Sequence, residues 1–152
     1  MTDIEDLAYW INERARETLL ADGTHAGMFF LRTANGVSPQ LLGGTTRSEM
    51  PEALKAIAEA VEREQADGVV VVAEAWSAPI DDLPEGGAAE SLHARDILLV
   101  TALDSDGTAL ALETSVHRLD DEHLELGQTV QTESQSIFLN SVRRLWGLPD
   151  VG

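Results

Sequence analysis

The sequence predicts an α/β domain of the α+β type: a mainly antiparallel five-stranded sheet with three packed helices, in the order α-β-β-α-β-β-β-α. Three observations predict it. Apolar residues recur at helical spacing near the start, in the middle and at the end of the chain. Between them lie runs of β-branched and aromatic residues, VVVVAEAW above all. Two of the strand runs are interrupted by Asn35-Gly36 and Asp106-Gly107, the dipeptides that most strongly favour hairpin turns. At 152 residues a single domain is expected over 1–152, large enough to build one hydrophobic core.

Thr2 and Glu5 have the spacing of a capping box, which predicts a first helix from Asp3. Ile4, Leu7, Ala8, Ile11, Ala15, Thr18 and Leu19 form its apolar stripe, and Gly23 stands where a left-handed cap belongs. AGMFFLRT, Ala26 to Thr33, reads as a strand that turns at Asn35-Gly36 and returns through Val37 to Leu42, with Pro39 marking a sheet edge. Gly43-Gly44 and TTRS lead into a second helix, capped by Thr46 or Ser48, with Pro51 in its first turn and Met50, Leu54, Ile57, Ala58 and Val61 as its stripe. The phrase Ala21-Asp22-Gly23 returns as Ala66-Asp67-Gly68, which predicts a second helix-to-strand turn of the same kind.

Val69 to Trp76 is apolar on both faces in its first half, as a central strand covered on both sides would be. Ser77 to Ala94 is an 18-residue loop holding Pro79, Pro84 and Gly86-Gly87, and loops of that length in compact domains tend to be functional or disordered. Asp96–Leu103 and Thr108–Val116 form the next hairpin. Leu119 to Gln135 is polar and mixed and yields no element. A last helix is expected from Ser136 to Trp146, ending at Gly147 with Pro149 beyond.

Composition narrows the function. The chain has no Cys, which excludes disulfides, thiolate catalysis, iron–sulfur clusters and zinc ribbons and fits a cytoplasmic location. The longest apolar run, Gly68 to Ala73, is far short of a membrane span, and the first residues are acidic where a signal peptide is basic. The formal net charge is −17, from 27 acidic residues against nine Arg and the single Lys55. Phosphate backbones and anionic membranes are recognised by Lys and Arg, so nucleic acid and membrane are not expected partners. The carboxylates are spread over every segment, which fits adaptation to concentrated salt, where a Debye length of about 3 Å screens self-repulsion.

The phrases THAGMFFL, VVVVAEAW and HARDILLV resemble a family of small uncharacterised prokaryotic proteins, with a His before the first strand, Glu-Ala-Trp ending the third and Arg opening the fourth. The likeness covers about residues 15–115 and implies a fold but no activity. At the level of topology the element order resembles profilin-like roadblock and longin domains, which implies regulation or scaffolding by analogy.

If the third and fourth strands are antiparallel neighbours, Glu74, Trp76, His93, Arg95 and Asp96 meet at one end of the sheet, with Glu74 and Trp76 on one face. His25, at the start of the first strand, completes the binding candidates His25, Glu74, Trp76, His93 and Arg95. The structural reading pairs Glu74 with Arg95 at the rim of the core and lets Trp76 cover the sheet end. The chemical reading takes His25, Glu74 and His93 as a two-His-one-carboxylate metal set, although HExxH and paired helical His are absent. His117 and His123 flank the acidic LDDE and read as solvated. Neither GxSxG nor a P-loop occurs, and DSDGT and RLDDE lack the EF-hand pattern.

The expectation is a binding or protein-interaction module with a salt-adapted acidic surface, acting as monomer or homodimer on a protein partner or small molecule. No cofactor is predicted. A metal-assisted hydrolase using His25, Glu74 and His93 is the alternative, and an acidic nucleic-acid mimic is a second one.

Overall fold

The computed structural model describes residues 3–42, 50–77, 95–120, 123–132 and 139–151. The elements are α1 (Ile4–Asp22), β1 (Met28–Thr33), β2 (Gly36–Leu41), α2 (Met50–Glu64), β3 (Gly68–Ser77), β4 (Arg95–Asp104), β5 (Ala109–Arg118), β6 (Leu124–Thr132) and α3 (Asn140–Leu145). The strands form one antiparallel sheet in the order β2-β1-β3-β4-β5-β6. The architecture is the expected α+β one, but the sheet has six strands and not five.

The extra strand, β6, lies in the stretch that showed no pattern, and a β-bulge explains why. Thr114 pairs with Thr129 and Val116 with Leu126, so Gly127 and Gln128 together oppose Ser115. The inserted residue breaks the two-residue period. Leu124, Leu126, Thr129 and Gln131 therefore share the face towards α1 although no simple alternation connects them. Leu124 and Leu126 pack on the core there, while Asn12 Nδ2 donates to Thr129 Oγ1 at 2.9 Å and Tyr9 donates its hydroxyl to Gln131 Oε1 at 2.6 Å. Arg16 Nη1 donates to the Gly127 carbonyl at 2.7 Å, which fixes the bulge to the helix.

α1 begins at Ile4, one residue later than the capping box suggests, because Asp3 is its N-cap: its carboxylate accepts from the Glu5 N–H at 2.8 Å. Thr2 lies outside the described residues. At the other end Gly23 takes φ 76 as the left-handed cap. The turn after α2 is not a copy of it. There Gln65 takes the positive φ, 52, and Gly68 opens β3. Gly68 meets a different constraint: a Cβ there would stand 3.0 Å from Ile4 Cδ1 and 3.1 Å from Arg32 Nε, so those side chains would have to give by a few tenths of an ångström. Arg32 crosses this strand end to donate from Nε to Asp67 Oδ1 at 2.8 Å.

β3 sits between β1 and β4 and is covered on both sides, as its Val run requires. Val70 and Val72 join Leu98, Val100, Leu112 and the α1 stripe in one core layer. Val69 joins Phe29, Leu31, Ile57, Val61, Leu103 and Val142 in the other. α2 and α3 pack together on that second side, where Trp146 donates its indole N–H to the Ala66 carbonyl at 3.1 Å. The second-helix caps Thr46 and Ser48, the long loop 78–94 and the expected first turn of the last helix lie outside the described residues. Among the described residues no helix is long and apolar enough to cross a membrane.

Candidate functional site

The antiparallel pairing of β3 and β4 places Trp76 opposite Asp96 and Ser77 opposite Arg95, so the sheet end foreseen from the sequence exists. Its wiring differs. Glu74 lies opposite Leu98, on the same face as Trp76 and Asp96, whereas Arg95 belongs to the alternate set of register positions. A guanidinium that the sequence did not point to reaches Glu74, that of Arg118 at the end of β5; the side chain of Arg95, the expected partner, lies outside the described residues. β5 runs two residues beyond the predicted Val116, which is what carries Arg118 to this point.

Arg118 ties three elements together. Nη2 donates to Glu74 Oε1, Nε donates to Asp96 Oδ2 at 3.0 Å, and Nη1 donates to the carbonyl of Gly23, the cap of α1, at 2.8 Å. The second Glu74 oxygen accepts from Thr24 Oγ1 at 2.9 Å and from the backbone N–H of His25 at 3.3 Å. The carboxylate side chains are partly buried, 22% exposed at Glu74 and 18% at Asp96, while the Arg118 side chain is 43% exposed. Both oxygens of Glu74 are thus engaged in holding the turn after α1 onto the sheet. Geometry of this kind positions the chain between α1 and β1.

His25 joins the cluster through its backbone, and its ring Nδ1 lies 2.6 Å from the Ala26 carbonyl. His93, and the side chains of Trp76 and Arg95, lie outside the described residues. His117 is exposed, and His123 Nδ1 lies 2.9 Å from Asp120 Oδ1 on the surface. Among the described residues no group of three His, Asp or Glu side chains could hold a metal ion.

A second surface was not foreseen. α1 packs on β3, β4, β5 and β6, and β1 and β2 extend the same sheet face beyond it. On that face the register aligns Met28 with Leu41, Phe30 with Pro39, and Arg32 with Val37. Leu41 is 73% exposed and Val37 40% exposed; Pro39 is exposed, and Met28 and Phe30 are half-buried. The opposite face of β2 carries Ser38 and Gln40, and Gln40 Nε2 donates to Glu64 of α2. β2 therefore turns its apolar residues to the open side and its polar residues towards the helix layer, the reverse of a strand whose alternation serves the core. The sequence held the signal in the alternation Val37, Pro39, Leu41, but which face stays open depends on where α1 docks.

Fold and surface together define a small α+β sheet protein with a polar latch at one sheet end and an open apolar face at one sheet edge. The chain belongs to the family described as bacteriophage lambda protein Ea47, whose model matches residues 1–150. That description is a phage one and not specifically prokaryotic, and nothing in the comparisons supports the profilin-like resemblance. No curated protein and no solved structure matches the chain.

Proposed function

We propose that this protein is a non-enzymatic interaction module that docks a protein partner on the open face of the β1–β2 hairpin. The reversed alternation of β2 carries the reading. Single exposed apolar residues are ordinary on protein surfaces, whereas a contiguous apolar strip marks a binding surface. Here Leu41, Val37, Pro39, Met28 and Phe30 adjoin across two paired strands. The Arg118 cluster supports the same reading from the other side, since its groups are consumed in closing the fold. The acidic surface, with net charge −17, serves to keep such a module dissolved in concentrated salt.

A photo-crosslinking residue placed at Leu41 tests this, with Glu59 on the outer side of α2 as control. A discrete adduct from position 41 and none from 59, identified by mass spectrometry and reproduced with the purified partner, is the expected result. Equal yields from both positions, or no adduct from 41, would refute it.

A further inference from the structure

Resting on the interaction reading above, we infer that the occupant of the β1–β2 face is a basic amphipathic helix of a partner protein. The dimensions select a helix. Neighbouring strands lie about 4.7–4.9 Å apart, so two strands beyond α1 offer a width close to the about 8–10 Å separating packed helices. A helix laid there would run beside α1 on the same sheet face. Six residues of β2 at about 3.3 Å each span about 20 Å, the length of about 13 helical residues. Met28, Phe30, Val37, Pro39 and Leu41 would receive one apolar stripe.

The flank of α1 overlooking this strip selects the charge. Tyr9, Asn12 and Arg16 face β6 at the far side of the sheet, so at 100° per residue the opposite flank carries Asp3, Trp10, Arg14 and Glu17. Trp10 is 54% exposed. Among the described residues the cations near the strip are engaged: Arg14 lies 5.2 Å over the Trp10 ring and 3.8 Å from Glu17, and Arg32 pairs with Asp67 at 2.8 Å. What this wall offers an incoming helix is an indole and a net negative charge, Asp3 and Glu17 against the one cation Arg14. A second copy of a chain with net charge −17 would bring the same sign to the same wall, whereas Lys and Arg flanking an apolar stripe would complement it.

The test uses the full chain and synthetic 14-residue peptides. One has Leu at i, i+3, i+4 and i+7 spacing with Lys elsewhere, one replaces Lys by Glu, and one replaces Leu by Ser. The Lys/Leu peptide should bind at 1:1 stoichiometry and shift the resonances of Met28, Phe30 and Trp10. Its affinity should exceed that of each other peptide by at least ten-fold and should fall at least ten-fold in Val37→Asp/Leu41→Asp. That variant changes two exposed residues and adds negative charge, so lost affinity reports apolar contact and not lost attraction. Equal binding to wild type and variant would overturn the inference, leaving general charge attraction. Equal binding of the Glu/Leu peptide would overturn the basic class of partner while leaving the interaction reading intact, which fails separately if position 41 yields no adduct. A wild-type dimer by sedimentation that the variant abolishes would overturn it in favour of a second copy.

Discussion

Replacing Arg118 by Met removes the three donors that join β3, β4 and the cap of α1, and strands Glu74 and Asp96 beside each other. Wholly buried pairs cost about 3–5 kcal/mol when one partner is removed, and fully exposed pairs contribute about 0.2–1 kcal/mol. The carboxylate side chains here are partly buried while the Arg118 side chain is 43% exposed, so the cost falls between those limits, at about 2 kcal/mol. For a chain of this length that corresponds to a fall in Tm of about 4–8 °C. Glu74→Gln relieves the carboxylate repulsion that Arg118→Met creates, so the double variant should be more stable than the sum of the singles by about 1 kcal/mol. Urea unfolding of wild type, both singles and the double provides the four free energies. Amide exchange supplies a second readout, since loss of the bond to the Gly23 carbonyl should expose the last turn of α1 before the rest of the helix. Additive effects below about 0.5 kcal/mol each, with unchanged exchange at Leu19 to Gly23, would refute the latch.

Gly68→Ala forces a methyl group to within 3.0 Å of Ile4 Cδ1 and should destabilise the chain by about 1–3 kcal/mol, measured by urea unfolding; a neutral substitution would show that Ile4 and Arg32 can yield. Near the C-terminus, the hydrogen bond from the Arg144 side chain holds the Asp150 carboxyl below its ordinary value. A depressed folded pKa means that the pair's contribution is present above that ordinary value and is lost as the pH falls through the lower folded one. A carboxyl NMR titration should show the low midpoint, and Arg144→Gln should move it upward; an unmoved midpoint would assign the shift elsewhere. Because the net charge of −17 is unscreened in dilute buffer, Tm should climb between dilute buffer and molar KCl, and a flat or falling curve would remove the salt-adaptation proposal.

The sequence made the local elements legible where one chemical signal decided them. Gly23, the two hairpin turns, the α1 stripe and the doubly covered Val run each stand within a residue or two of where they were expected. It failed where a tertiary contact supplied the reason. Gly68 resembled a helix stop, yet Gln65 takes the left-handed turn and Gly68 is small because Ile4 and Arg32 press on it from α1 and β1. β6 was hidden by a bulge that is held in place from outside the strand, by Arg16 on its carbonyl. The sheet-end cluster was legible as far as Glu74, which local pairing of β3 and β4 places; the part Arg118 plays in it required knowing that β5 continues two residues past Val116.

The open face shows the same limit from the functional side. In Val37-Ser38-Pro39-Gln40-Leu41 the alternation is plain, and the natural inference is that the apolar set faces the core. The fold reverses it. Among the described residues two helices share the second side of the sheet while α1 serves the first, lying on β3 to β6, so six strands carry less helix on the side to which Val37, Pro39 and Leu41 point. Moving β2 by one residue would bury those three against α2 and expose Ser38 and Gln40, the arrangement that core packing by itself favours. The observed register instead keeps Gln40 bonded to Glu64 and leaves Leu41 73% exposed. A strand that forgoes burial of its own apolar set is the observation on which the proposed docking face rests.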